Sequence, residues 1–209
     1  MELPITHPII SAIQDRRTTV LFDPERDLSD DQIRELIDAA TRAPTAFNLQ
    51  NWRFIAVRTP DPKAKLRAVA WDQVKITDAP VTFIIVGQLA DEQTLPDRLA
   101  PAVEAGIMPP QMIAGWVAGA ASLYKDQPWR QRDEAVRSAS FGAATLFYAA
   151  HAMGLGAGPM IGFDPDAVSR EFGLAEDEIP VLLVSVGYGT PANWPQKPRR
   201  PLSEVLSFV

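Results

Sequence analysis

The chain has 209 residues, of which 46% are hydrophobic and 22% charged, and 20 Lys plus Arg against 26 Asp plus Glu give a formal net charge of −6. This apolar content excludes a chain that is disordered throughout, and the acidic balance argues against nonspecific nucleic-acid binding. The chain has no Cys, which excludes disulfides, thiolate metal sites and a Cys nucleophile and fits a reducing compartment; we expect the cytoplasm.

The length predicts one domain over residues 1–209, large enough to need no disulfide or metal for stability. Met1–Pro4 lacks the basic segment and apolar run of a signal peptide. No apolar stretch approaches the roughly 20 residues of a membrane-spanning helix, so we expect no membrane partner.

Apolar periodicity predicts the elements of the first half. His7–Gln14 is predicted helical, and a second helix begins at the N-cap Ser29, which forms a capping box with Gln32, and ends by Pro44. The remaining elements expected in this half are a strand over Arg53–Arg58, a short helix over Ala64–Ala70 and a buried central strand over Val81–Gly87.

The second half is dominated by one long helix. Residues 88–111, rich in Pro and acidic residues, are expected to form surface loop and short helix. Arg130–Met153 is the longest predicted helix, and its small or apolar residues from Ala139 onward indicate burial in a core or against a second subunit. The other predicted elements are a helix over Met112–Tyr124, an end to the long helix at Gly154–Gly158, a helix over Asp166–Phe172, a strand over Pro180–Val186 and an extended, Pro-rich tail. This order predicts an α+β fold with one central sheet.

Several common chemistries are missing. There is no phosphate loop and no nucleophile elbow. The glycines of 154–158 do not make a dinucleotide fingerprint, because Pro159 occupies the place of the third glycine and a helix precedes the run. His7 and His151 are too few and too isolated to predict a metal site. Difficult chemistry would therefore belong to a cofactor.

Two polar stretches in the first quarter could hold such a cofactor. Arg16-Arg17-Thr18 follows the first helix and could clamp a phosphate, or it is a solvated basic patch. Residues 43–52 place Thr45, Asn48 and Gln50 in a loop before a strand. Amides both donate and accept, so this loop could read the edge of a heterocycle, or it is simply a polar turn.

Two more stretches lie near the end of the chain. In residues 158–163, glycines would let a backbone approach a flat ligand, although a tight connection explains them equally. In residues 197–201, prolines hold an extended segment that displays three cations, or the segment is a disordered basic tail.

Together and in this order, the four stretches resemble the nitroreductase family of FMN-dependent oxidoreductases. The landmarks are R-R-[ST], A-P-[ST]-x-x-N-x-Q-x-W, G-P-x-x-G-F after a long helix and a terminal K-x-R-x-P, and they span about residues 9–206. The resemblance implies a nitroreductase-like α+β fold, with a central, mainly antiparallel or mixed sheet flanked by helices and a long buried helix at the core or dimer interface. It also implies a homodimer with FMN at the interface, so that each site takes residues from both chains.

The resemblance assigns the cofactor-binding residues, with no metal ligand and no catalytic side chain. The phosphate and ribityl chain would contact Arg16, Arg17, Thr18, Lys197 and Arg199. The ring would be flanked on one side by Pro44, Thr45, Ala46, Asn48 and Gln50, and on the other by Pro159, Met160, Ile161 and Gly162, with a backbone N–H facing N5. Lys75 would place a cation near N1 and O2.

The activity implied is hydride transfer from NADPH or NADH to FMN, followed by reduction of a nitroaromatic, a quinone or a similar acceptor in a ping-pong mechanism. The same scaffold would also suit other flavin chemistry, such as dehalogenation, enamide formation or flavin breakdown, or non-catalytic flavin binding. Residues 88–128 correspond to the region that covers the site and sets substrate range in this family. Three positions depart from the family pattern: Val20, Asn51 and Ile161.

Overall fold

The computed structural model describes residues 7–209; Met1–Pro4, expected to carry no signal peptide, lie outside them. The helices are α1 (Pro8–Asp15), α2 (Asp30–Ala40), α3 (Pro60–Ala68), α4 (Lys75–Asp78), α5 (Leu95–Glu104), α6 (Met112–Tyr124), α7 (Pro128–Ala152) and α8 (Pro165–Phe172). The strands are β1 (Trp52–Val57), β2 (Val81–Gln88), β3 (Gly156–Met160) and β4 (Glu178–Gly187), and single 3-10 turns lie at Ala46–Asn48, Glu92–Thr94 and Leu202–Glu204.

The four strands form one sheet in the order β1-β2-β4-β3, and every neighbouring pair is antiparallel. The predicted α+β class with a mainly antiparallel central sheet is confirmed. The central strands β2 and β4 are covered on both faces, which is why β2 reads as a continuous apolar run. One face packs against α2 and α7, the other against α3, α4 and α8, and a third apolar cluster lies beneath α5 and α6.

The long helix α7 lies closely against the sheet because glycines face it. A Cβ on Gly87 would come within 2.5 Å of the carbonyl oxygen of Ala135, so only glycine permits this approach. Leu146 is fully buried on the same side of the helix. The opposite side is open to solvent: Phe141 is 47% exposed and Tyr148 38%. In a single chain, α7 is therefore buried on one side only.

Several element boundaries differ from the prediction. The helix after β1 begins at Pro60 rather than Ala64, because proline is tolerated in the first helical turn. The helix α2 has the predicted capping box at Ser29 but ends at Ala40, before Pro44 can act on it. Residues 88–111 form loop and short helix as expected, apart from Gln88 at the end of β2, and their ten-residue helix α5 buries Leu95 and Leu99.

One strand differs from the prediction in kind. The sequence pattern predicts that Gly154–Gly158 ends the long helix and that a loop follows over residues 158–163, yet Gly156–Met160 form the edge strand β3. Gly and Pro are poor strand formers, so propensity gives no signal here. Proline has no backbone N–H to donate. Pro159 is compatible with the strand because, at the sheet edge, this position need not donate a hydrogen bond to a neighbouring strand. Within residues 7–209, no helix combines the length and apolar character needed to cross a membrane.

Candidate functional site

The stretch Arg16-Arg17-Thr18 runs along β3. Thr18 forms an isolated parallel bridge with Ala157, and the backbone N–H of Thr19 donates to the carbonyl oxygen of Ala157 over 3.0 Å. Gly158 makes this possible, because a Cβ there would overlap the carbonyl oxygen of Thr19. The first predicted stretch is thereby joined to the strand that leads into the third.

Among residues 7–209, the cations of this stretch have no acidic partner. Within the described chain, neither Arg16 nor Arg17 forms an ion pair. The Arg16 guanidinium lies 6.0 Å from the ring centroid of Phe147 and lines a cavity of about 340 Å³ that Asn193 also lines. Arg17 and Thr18 are exposed. These groups remain able to bind an anion.

Asn193 ties the start of the C-terminal tail to the segment after Thr18. Its Oδ1 accepts from the backbone N–H groups of Val20 (2.7 Å) and Leu21 (3.0 Å), and its Nδ2 donates to the Leu21 carbonyl over 2.6 Å. Sequence reasoning missed Asn193, and no motif around it pointed to this role. Asn193 thereby fixes the start of the tail beside Val20 and Leu21, just after the first stretch.

The tail cations begin close to this junction. Lys197 lies 5.4 Å from the ring centroid of Trp194 and lines a cavity of about 270 Å³ together with Val20 and Leu21. Arg199 is exposed, and its guanidinium lies 3.4 Å from the Lys197 carbonyl oxygen. Of residues 7–209, none forms an ion pair with Lys197 or Arg199. Lys197 therefore lies beside Val20 and Leu21, just after the first stretch, whereas among the described residues no hydrogen bond joins Arg199 to Arg16.

The loop after β3 is held by a segment that sequence reasoning did not single out. The Gln73 side-chain amide donates to the carbonyl oxygen of Gly162 over 2.8 Å, and a Cβ on Gly162 would lie 2.6 Å from the Trp71 ring. Trp71 and Asp72 both have left-handed φ values, 50° and 55°, which are strained for residues other than glycine. Ile161 is 84% exposed, whereas Met160 and Phe163 are buried. The loop is thus held at Gly162 by Gln73, and it exposes Ile161 at the surface.

Lys75 opens α4 and lies next to the same strand. Its Nζ is 3.5 Å from the carbonyl oxygen of Pro159. The side chain is half-buried, and burial lowers the pKa of its amine. No carboxylate of residues 7–209 forms an ion pair with it. A partly desolvated cation without an anion is costly, so this position favours an anionic ligand.

The second predicted stretch lies elsewhere. Pro44–Gln50 precedes β1, which is the sheet edge opposite to β3. Three interstrand spacings separate the two edges, about 14 Å. Within one chain, Pro44, Thr45, Ala46, Asn48 and Gln50 are therefore not brought together with the residues around β3.

This second stretch has a strained and well-anchored backbone. Phe47, Asn48 and Gln50 have left-handed φ values of 52°, 55° and 47°, and the Gln50 N–H donates to Thr45 Oγ1 over 3.0 Å. The Phe47 ring packs edge-on against Trp116, 6.2 Å between centroids. Strain of this kind concentrates at functional sites, and here the loop is fixed to α6.

Asn51 shows what the departure from the family pattern does locally. Its Nδ2 donates to the Gln88 carbonyl over 2.8 Å, and its own backbone carbonyl accepts from the Gln88 N–H over 2.9 Å. A proline at this position would retain only the second of these bonds. Asn51 thus extends the pairing of β1 with β2 by one residue.

The described residues contain no group of three or more side chains suited to hold a metal ion.

The chain is similar to known proteins over most of its length. It is 35% identical to protein DrgA of Synechocystis over 180 residues, 86% of this chain and 83% of that protein. It is 33% identical to an NADH dehydrogenase of Thermus thermophilus over 176 residues, 83% of each chain. A protein of Exiguobacterium sibiricum, solved in complex with FMN, has the same fold, with a TM-score of 0.89 at 24% identity and 98% of both chains covered.

The model of the Nitroreductase family matches residues 13–188, which is most of the chain and includes the first three stretches. The predicted resemblance is confirmed by this match and by the relatives. The chain belongs to the nitroreductase family.

Proposed function

We propose that this protein is an FMN-dependent oxidoreductase that takes a hydride from NADPH or NADH and reduces nitroaromatics, quinones or similar small acceptors. One observation carries the proposal. The Arg16–Thr18 stretch predicted for the phosphate lies beside β3, and the residues predicted for one side of the ring lie in β3 and at its end. The cations there, Arg16, Arg17 and Lys75, form no ion pairs within residues 7–209.

The donor set fits FMN. Arg16, Arg17, Lys197 and the Thr18 hydroxyl supply charge-assisted donors of the kind that bind a phosphate. Lys75 supplies a separate cation close to Pro159. Its positive charge could there stabilise negative charge on the pyrimidine end of a flavin. The cations thus lie in two places, one suited to a phosphate and one suited to a flavin ring. Reduced FMN carries negative charge on both its phosphate and its ring.

Bound FMN would supply the two-electron chemistry between a nicotinamide donor and the acceptor. The chain would position it. Gly162 would offer its backbone N–H at the loop tip, and Gln73 would keep that loop in place through the Gly162 carbonyl. The positive charge of Lys75 would favour the reduced, anionic state. No side chain is needed as an acid or base.

The proposal includes a homodimer. The second stretch lies at the sheet edge opposite to β3, so a second copy is the natural source of the residues that flank the other side of the ring. The chain also exposes large apolar side chains on three segments: Ile9, Ile10 and Ile13 on α1, Phe141 and Tyr148 on α7, and Leu202, Val205, Leu206 and Phe208 in the tail. Exposed apolar surface of this extent favours contact with another chain.

The expectation that residues 88–128 cover the site is supported by Phe47, which lies in the second stretch. Phe47 packs against both Trp116 and Tyr124 of α6. Movement of α6 would therefore also move the loop that is predicted to flank the ring. We infer that this segment covers the site and sets which acceptors enter, and that donor and acceptor use one face in turn.

The test is an absorbance spectrum of the purified protein before and after anaerobic NADPH or NADH. We expect a bound flavin spectrum that bleaches with the nucleotide and returns when a quinone or a nitroaromatic is added. A colourless protein that does not bind added FMN would overturn the proposal. Flavin that binds but is not reduced would indicate a non-catalytic flavin protein, and reduction without return would indicate the alternative flavin chemistries.

A further inference from the structure

A second cavity lies away from β3, where the end of α6 meets the first turns of α7. Its volume is about 250 Å³. It is lined by Leu123, Tyr124, Trp129, Arg130, Asp133 and Arg137. None of these residues is among those predicted to contact FMN, although Leu123 and Tyr124 belong to the segment 88–128.

Arg130 is the unusual member of this group. Its Nε is buried and has no hydrogen-bond partner among residues 7–209. In the part of the chain that the structure describes, Arg130 forms no ion pair. Buried donors in folded proteins are nearly always satisfied, so an orphaned guanidinium N–H at a cavity indicates an acceptor supplied from outside.

The nearby acids do not fill this role. Glu134 is 2% exposed, and its carboxylate already accepts from Tyr124 Oη (3.1 Å), Ser138 Oγ (3.1 Å) and the Arg137 guanidinium. Asp133 lines the cavity, is exposed and forms no ion pair among residues 7–209. Arg130 thus keeps its charge and its free donor.

Trp129 gives the cavity a flat apolar wall. Its side chain is 60% exposed, and its ring centroid lies 4.9 Å from the Arg130 guanidinium carbon. An exposed indole stacks on flat rings, and a guanidinium binds carboxylate or phosphate oxygens in a planar geometry. The two groups together therefore select a ligand in which a flat ring carries an anionic group.

We propose that this cavity is a binding site for a planar aromatic anion, either an aromatic carboxylate or a nucleotide phosphate. Arg130 supplies the charge-assisted hydrogen bonds and Trp129 the stacking surface. Arg137 adds a second positive charge, although it is already engaged with Glu134.

Calorimetric titration of the FMN-saturated protein tests this site. Saturation keeps the probes out of the place of FMN itself, and the cavity variants separate binding here from binding on the open face of the flavin. The probes are benzoate, adenosine 5′-monophosphate and inorganic phosphate. We expect benzoate or the nucleotide to bind, and inorganic phosphate to bind more weakly because it lacks a ring. Binding of benzoate alone would identify the carboxylate source, and binding of the nucleotide alone the phosphate source.

Variants locate the binding. Arg130→Met should weaken it about tenfold or more, the loss expected for one charge-assisted contact. Trp129→Leu should also weaken it, whereas Arg132→Met, an exposed arginine of the same helix that does not line the cavity, should not. Arg130→Met removes an unsatisfied donor, so we expect its melting temperature to be unchanged; if this variant fails to fold, Trp129→Leu decides.

Three results would overturn the inference: no binding of benzoate or nucleotide, equal binding by wild type and both cavity variants, or inorganic phosphate binding as tightly as the ring-bearing probes.

Discussion

The side-chain amide of Gln73 donates a 2.8 Å hydrogen bond to the carbonyl oxygen of Gly162, across 89 residues of sequence. Gln73 follows two residues with left-handed backbone, and the second of these, Asp72, accepts from Arg67 Nε over 2.7 Å. A strained segment that is itself held by an arginine therefore fixes the loop at the end of β3. Strain retained in this way needs compensating contacts, and the bond to Gly162 is one of them.

Gln73→Met keeps the length of the side chain and removes its donor. We expect the free energy of unfolding to fall by about 1 kcal/mol, the net contribution of one neutral hydrogen bond. We also expect weaker FMN retention, because Gly162 would lose its fixed position. Denaturant unfolding and flavin titration measure the two effects. Gln93→Met, at an exposed position in a 3-10 turn, is the control and should change neither.

Arg16→Ala and Arg199→Ala test the phosphate assignment. Each should weaken FMN binding by about 1.5–3 kcal/mol, since a hydrogen bond to a charged group contributes on this order. Fluorescence titration of the apoprotein with FMN gives the affinities, and Arg98→Ala on the exposed side of α5 provides the matched control. Equal FMN affinity in wild type and both variants would remove Arg16 and Arg199 from the site.

The fold could be predicted where pattern and burial agree. The apolar run of β2, the capping box at Ser29 and the small-residue face of α7 each left a clear signal in the sequence. The strand β3 left none, because Gly-Ala-Gly-Pro-Met has little strand propensity and is extended through its pairing with β4 and with Thr18. Edge pairing is a tertiary effect, and local propensity does not contain it.

The site was predictable only through motifs. Arg16 and Gly162 lie in stretches that resemble family landmarks, whereas Lys75 belongs to no landmark and follows only from where some family members place a cation. The structure puts all three beside β3 or at its end. Gln73 and Asn193 act through hydrogen bonds to backbone groups 89 and 172 residues away in sequence. Such contacts follow from the fold alone, so a single sequence offers no pattern for them.

Gly158→Ala tests the pairing of the first stretch with β3. A methyl group there would overlap the Thr19 carbonyl oxygen, and backbone cannot move aside cheaply, so we expect a loss of about 1–3 kcal/mol in the free energy of unfolding. The matched control is Gly115→Ala in α6, where a Cβ meets no atom within 4 Å. That change should be stabilising, by up to about 1 kcal/mol, because alanine favours a helix. Equal effects at both positions would contradict the close approach of Thr19.

We expect the folded protein to lose stability at alkaline pH through the ionisation of Tyr124. Burial, with the charge of Glu134 and the hydrogen bond to it, raises the pKa of Tyr124 to about 12 from 10.0. The folded chain therefore retains a proton that the unfolded chain releases. The contribution is complete below pH 10 and is lost as the pH rises towards 12. Denaturant unfolding between these values should show a decline that Tyr124→Phe reduces and that Tyr148→Phe, at an exposed tyrosine of α7, leaves unchanged.

Ile13→Glu tests whether a second copy completes the site. No residue of α1 is buried, and Ile13 is 47% exposed, so the substitution removes no core contact within the chain. If α1 lies at a dimer interface, a buried and unpaired carboxylate there would cost several kcal/mol, and the dimer would dissociate. Sedimentation should then show a monomer of about half the wild-type mass, with an unchanged far-ultraviolet spectrum and weakened FMN binding. A wild-type protein that is itself monomeric and retains FMN would instead require Pro44–Gln50 to reach the ring from its own chain, which the sheet order opposes.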